Sequence, residues 1–113
     1  MKKAVNPAEY PYKDPSLSPE ERTKDLLSRM SIQEKIAQLT QVWGLEQMVS
    51  MGMPHPKDMA GLGVGSMLYV NGTEDKNKYQ KIAVEKTPHG IPLLYGTDVT
   101  HGYRTAFPIP LAM

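Results

Sequence analysis

Two short apolar runs flanking one amphipathic stretch constrain this chain more than any other feature. The first is Gly63-Val-Gly-Ser-Met-Leu-Tyr-Val70; the second is Ile91-Pro-Leu-Leu-Tyr95, set off by Gly90 and Gly96. Each is too short for a helix and is bounded by turn residues, so each reads as a buried strand. Asn71-Gly72 makes a turn after the first run, and Thr73 is placed to cap a helix over 74–87. On that helix Tyr79, Ile82, Ala83 and Lys86 share a face, and Pro88 and Gly90 end it. Strand, helix and strand at this spacing make one right-handed βαβ unit. Residues 65–70 and 92–96 are therefore expected as adjacent parallel strands, with the helix packed across them.

The segment before this unit reads as an arm and two helices. Residues 1–17 contain Pro7, Pro11 and Pro15 with little apolar periodicity, which suggests an extended arm over the surface. Ser18-Pro-Glu-Glu21 is a helix start: Ser18 caps, Pro19 suits the first helical position, and Glu21 completes a capping box. That helix carries Leu26, Leu27 and Met30 on one side. Ser31-Ile-Gln-Glu34 repeats the signal, and Ile32, Ile36, Leu39 and Trp43 follow at helical spacing. The expectation is a second helix that buries this face, takes Trp43 into the core and ends at Gly44. The Met-rich stretch from Leu45 to Gly63 reads as loop or adaptable packing. Gly65 would permit close backbone approach, but no Gly-Lys-Ser/Thr follows it, so the glycines there are not a phosphate loop.

Composition removes several function classes. The 13 Lys and Arg are scattered among 12 Asp and Glu, with no basic stripe, which argues against nucleic acid as a partner. There is no cysteine, hence neither a disulfide framework nor a thiolate metal site. His55, His89 and His101 are too far apart in sequence for metal-ligand spacing. Met1-Lys-Lys resembles the start of a signal peptide, but Asn6, Pro7, Glu9 and Pro11 occupy the place of its apolar segment. No run approaches the roughly 18 apolar residues of a membrane span, so no membrane partner is expected.

Chemistry is sought where the second strand ends. In parallel α/β folds the loops at the carboxyl ends of strands converge on one face and bind ligands there. Asp98 follows the second strand directly. Asp14, Glu20, Glu21, Asp25, Glu34, Glu74, Asp75 and Glu85 fall instead on the arm or on helix surfaces, where solvated or capping roles suffice. Asp98 alone is not a catalytic pair, and its residue pattern leaves two roles open: substrate contact, or capping the turn between Gly96 and Gly102.

Asp98-Val-Thr-His101-Gly102, followed by Tyr103-Arg104-Thr105 and Phe107-Pro108, resembles the early strand-and-loop motif of glycoside hydrolase family 3. The run from Asn77 to Gly96 is similar to that family's preceding helix and strand, and residues 26–39 match its Leu-Leu-x-x-Met-x-x-x-Glu-Lys-Ile-x-Gln-Leu pattern. The likeness extends from about Tyr12 to Ala112. It implies an α/β fold: an arm (1–17) and two helices, then the first βαβ unit of a truncated (β/α)8, TIM-like barrel, with 18–113 a partial domain. A complete barrel takes roughly 250 residues, and the apolar run Pro108–Met113 fits a cut through a fold.

The function implied is that of a β-glucosidase. Such an enzyme hydrolyses terminal non-reducing β-D-glucosyl residues by a retaining double displacement, with no metal or organic cofactor. Retaining enzymes need two carboxyl groups about 5–5.5 Å apart. In the family both come from later in the chain, so no catalytic residue is expected here and the chain alone should be inactive. By the same resemblance Asp98 binds substrate hydroxyls, a task suited to a carboxylate that accepts from two adjacent O–H groups. From their own chemistry, His101 is expected to orient the loop through a ring hydrogen bond and Arg104 to pair with a carboxylate on a neighbouring strand, structural roles first, with support of the site as the other reading. The implied partners are a β-glucoside or oligosaccharide substrate and the rest of the barrel; a periplasmic or secreted parent stays open. His101-Gly102 argues against the family's N-acetylglucosaminidase branch, where Glu-Gly-Gly is expected. A β-xylosidase, and a non-catalytic α/β module binding a sugar or a protein, are the rival readings.

Overall fold

The computed structural model describes residues 9–99. Expectations for His101, Arg104 and the first eight residues lie outside the described residues. Three strands, β1 (Gln41–Trp43), β2 (Ser66–Leu68) and β3 (Leu94–Gly96), pair in parallel and in chain order. Gln41 lies opposite Ser66 and Ser66 opposite Leu94; two residues on, Trp43 meets Leu68 and Leu68 meets Gly96. The expected parallel pair is present, as β2 and β3. A further strand, β1, precedes it.

That extra strand corrects the reading of the second helix. Helix α1 spans Pro19–Arg29 and α2 spans only Ile32–Gln38, so Trp43 stands on β1 and not on a helix. Spacing of three and four from Ile32 fits a helix, yet Val42 gains more by packing against the core from a strand. The chain leaves α2 through a tight turn in which Thr40 N–H donates to the Ala37 carbonyl and Thr40 Oγ1 to that of Ile36. Nor is the apolar side of α2 buried: Ile32 and Ile36 are exposed and Leu39 is 89% exposed. With seven residues, α2 is too short to hold that side against the sheet once the chain turns away.

The two helix starts are as the sequence indicates. Glu21 N–H donates to Ser18 Oγ while Ser18 N–H donates to Glu21 Oε2 at 3.0 Å; Ser31 and Glu34 make the same reciprocal pair. The arm differs in detail, because residues 11–13 wind into a 3-10 turn and Tyr12 is buried. Tyr12 is tied to α1 at both backbone ends, donating to Asp25 Oδ2 and accepting from Arg22 Nε. The Met-rich segment forms a 3-10 helix (Glu46–Met51) and a short helix α3 (Pro56–Gly61); Met59 packs on the core while Met51 and Met53 are exposed.

Helix α4 (Thr73–Lys86) carries the core contacts. Gly72, with φ 76°, occupies its N-cap, so Thr73 is the first helical residue rather than the cap. Tyr79 and Ala83 are buried against Met67, Val64, Val70, Leu93 and Ala60. Gln80 Oε1 accepts from Leu93 N–H, and Tyr95 O–H donates to the Lys76 carbonyl, so the helix is fastened to β3 from both sides. Gly65 is where the close approach occurs: a Cβ there would collide with the Gln38 carbonyl.

Side chains alternate across a strand, and the two faces of this sheet differ. Val42, Met67 and Tyr95 point to the helices and the core. Gln41, Trp43, Ser66, Leu68, Leu94 and Gly96 share the other face, where Leu94 is 73% exposed. A parallel sheet normally has both faces covered; the described residues cover only one.

Candidate functional site at the carboxyl rim of the sheet

The three strand ends are held level by hydrogen bonds just beyond the paired residues. Gly44 N–H donates to the Leu68 carbonyl at 2.7 Å, and Tyr69 N–H donates to the Gly96 carbonyl at 3.0 Å. Trp43, Tyr69 and the Thr97-Asp98 pair therefore emerge at one rim. Asp98 lies two residues past β3 and is exposed. No hydrogen bond or ion pair ties its carboxylate to another described residue. It is therefore free, among the described residues, to accept bonds from outside the chain. His101 and Arg104 lie outside the described residues.

Sequence reasoning missed an aromatic pair on this rim. The Trp43 and Tyr69 rings are stacked, with centroids 5.3 Å apart and planes 10° from parallel. Tyr69 has φ 61°, the only positive value at a described non-glycine residue. For a bulky side chain this is a strained backbone, of order 1–3 kcal/mol. Simple alternation would send Tyr69 to the helix side after Leu68; the left-handed turn brings its ring to Trp43 instead. The usable sequence signal was the one tryptophan of the chain standing directly before a glycine.

Behind the rim, Glu46 organises the loop after β1. Its Oε1 accepts from Tyr79 O–H at 2.7 Å and from Lys78 Nζ at 3.2 Å, with His55 Nε2 at 3.8 Å. The Tyr79 bond, then Lys78, holds the Glu46 carboxyl below its usual range. Burial, then Glu46, pushes the Tyr79 phenol up. His55 caps α3 through Nδ1, accepting from Lys57 N–H. These are framework roles, and no group of three or more metal-ligating residues occurs among the described residues.

A cleft of about 690 Å³ among the described residues lies elsewhere. Tyr12, Arg22, Leu26, Val84, His89 and Pro92 line it, and the last two precede β3, which puts it at the amino-terminal rim. In parallel α/β folds ligands bind at the opposite, carboxyl rim of the strands. The functional candidate is the carboxyl rim with Asp98.

Known proteins agree with this architecture. The model of the "Glycosyl hydrolase family 3 N terminal domain" matches residues 31–113. A periplasmic beta-glucosidase of Salmonella typhimurium is 34% identical over 86% of this chain and 13% of its own length. The crystal structure of a beta-glucosidase from Listeria innocua in complex with glucose superposes with a TM-score of 0.66 at 30% identity, over 84% of this chain and 15% of that one. A mutant of that enzyme in complex with laminaribiose gives 0.65 at 29%, over 85% and 14%. The chain thus spans between 13% and 15% of the length of these relatives. Matched along most of its length by the family's N-terminal domain, the chain belongs to glycosyl hydrolase family 3.

Proposed function

We propose that residues 18–113 supply the opening strands of a (β/α)8 barrel in a retaining β-glucosidase, and that Asp98 binds the hydroxyls of the glucosyl unit. The observation that carries this reading is the exposed Asp98 at the carboxyl rim of a parallel sheet whose strands pair in chain order. Chain-order pairing suits a barrel, whereas a doubly wound sheet reverses its order. The open face supports it too: Leu68 and Leu94 would become barrel-interior side chains once later strands close around them. The glucose and laminaribiose complexes of the Listeria relatives support a β-glucoside as substrate. The name of the Salmonella relative supports a periplasmic enzyme.

On this reading the chemistry is divided. A nucleophile and an acid/base supplied by the rest of the enzyme perform the double displacement, while Asp98 orients the ring. Its carboxylate accepts from adjacent hydroxyls, in bonds that tighten as the ring flattens toward an oxocarbenium-like transition state. In the enzyme that carries this chain, Asp98→Asn is expected to lower kcat/KM for p-nitrophenyl β-glucoside by roughly 100-fold, with kcat falling as well. Azide should not rescue the variant, since no nucleophile has been removed. Unchanged kinetics in a folded variant would return Asp98 to turn capping.

A further inference from the structure

We propose that Met48, Met51 and Met53 form a thioether site for a soft monovalent cation, copper(I) by its chemistry, on the turn that follows β1. The site goes beyond the glucosidase reading and does not depend on Asp98. Its residues stand in the run Met48-Val-Ser-Met51-Gly-Met53. Met48 and Met51 belong to the 3-10 helix Glu46–Met51, in which side chains three apart eclipse. They therefore project from one side, roughly 6 Å apart along the axis. Gly52 then takes φ 85° and turns the chain back, so that Met53 N–H donates to the Met48 carbonyl at 3.1 Å. One turn thus brings three unbranched, freely rotating thioether side chains within reach of a single ion.

Core packing does not account for this turn. Met67 fills the core and Met59 packs against it, whereas Met51 is 74% exposed, Met53 is exposed and Met48 is half-buried. Harder ligands do not gather there either: His, Asp and Glu form no group of three among the described residues. Glu46 Oε1 is engaged by Tyr79 O–H and Lys78 Nζ. His55 Nδ1 accepts from Lys57 N–H, which leaves the ring proton on Nε2, 3.8 Å from Glu46 Oε1. Neither ring nitrogen then has a lone pair to offer a metal. What remains is a set of three neutral, polarisable sulfurs. Thioethers suit copper(I), whereas magnesium and calcium take oxygen ligands and zinc takes thiolate, imidazole or carboxylate.

The test uses the whole 113-residue chain with its methionines methyl-labelled, which gives eight methyl signals. Samples are titrated with copper(I) kept reduced by ascorbate without oxygen, with silver(I) as a redox-inert probe, and with zinc(II). The Met48, Met51 and Met53 signals are expected to move together and saturate at a single equivalent of copper(I) or silver(I). Those of Met59 and Met67 should stay in place, and zinc(II) should move none of the five. Met51→Leu and Met53→Leu keep an apolar side chain of similar volume, so the fold should survive, as amide spectra will show. Each should weaken copper(I) by roughly 10-fold or more, while Met59→Leu binds as the parent does. Three signals that move at separate midpoints, or a Met51→Leu chain that binds as tightly as the parent, would overturn the shared site. An equal response to zinc(II) would overturn its assignment to thioether sulfur.

Discussion

Gly65 sits where the entry to β2 passes the end of α2, with its N–H donating to the Ala37 carbonyl at 3.0 Å. A methyl group there would meet the Gln38 carbonyl, a backbone atom that cannot move aside alone. Gly65→Ala is therefore expected to destabilise the chain by about 2–3 kcal/mol, read as a lower urea midpoint at unchanged slope. The close approach at this residue was legible, because a glycine opening an apolar strand has few other reasons to be there. The exposed position of Asp98 just past β3 was legible for a similar reason, as the first acid after a strand closed by a glycine. Trp43 and Tyr69 were not. Trp43 is four residues past Leu39, so a helix explains its spacing as well as a three-residue strand does. Tyr69 takes a backbone conformation that its residue type disfavours, and only packing against Trp43 reveals why.

At the scale of elements, the helix starts were readable because a capping box is local chemistry: serine, then glutamate three residues on, needs no distant partner. The same locality makes it a pH-dependent device. Ser18 Oγ–H and then its backbone N–H hold the Glu21 carboxyl below its ordinary value of 4.5. A depressed carboxyl contributes stability above its unfolded pKa, and that contribution is lost as pH falls through 4.5 toward the folded value. Ser18→Ala should cost about 1 kcal/mol at neutral pH. Its deficit should shrink as pH falls below 4.5, so urea midpoints of variant and parent draw closer without meeting, because the Glu21 N–H bond to Ser18 Oγ does not titrate. A deficit constant across that range would mean that the Glu21 half of the box is idle. Helix ends, by contrast, were less readable than helix starts. Nothing in Gln38-Leu39-Thr40 forbids another turn, and α2 stops where β2 offers β1 a ladder of hydrogen bonds.

For the molecule as a whole, the sheet was legible as a parallel pair and incomplete as a count, since β1 is three residues long and too short for alternation to register. Among the described residues one sheet face is uncovered and both edge strands are unpaired, which is expected to give the isolated chain a tendency to associate. Leu94→Lys puts a charge on that face at a position 73% exposed, so it should raise the monomer fraction in sedimentation while leaving the unfolding free energy within about 0.5 kcal/mol of the parent. Equal association in both chains would place the contact elsewhere. On the proposed division of chemistry, the 113 residues by themselves should release no p-nitrophenol from p-nitrophenyl β-glucoside above buffer. Turnover that vanished with Asp98→Ala would contradict it.

The strand order also bears on synthesis. Gln41 and its partner Ser66 are 25 residues apart, and each later strand docks beside the one made just before it. Among the described residues no strand has to wait for a distant segment to leave the ribosome, so these three strands can pair at the pace of translation. The outer edge of β3 has no partner strand among the described residues. Pausing while it is unpaired would be the moment when chaperone binding matters most.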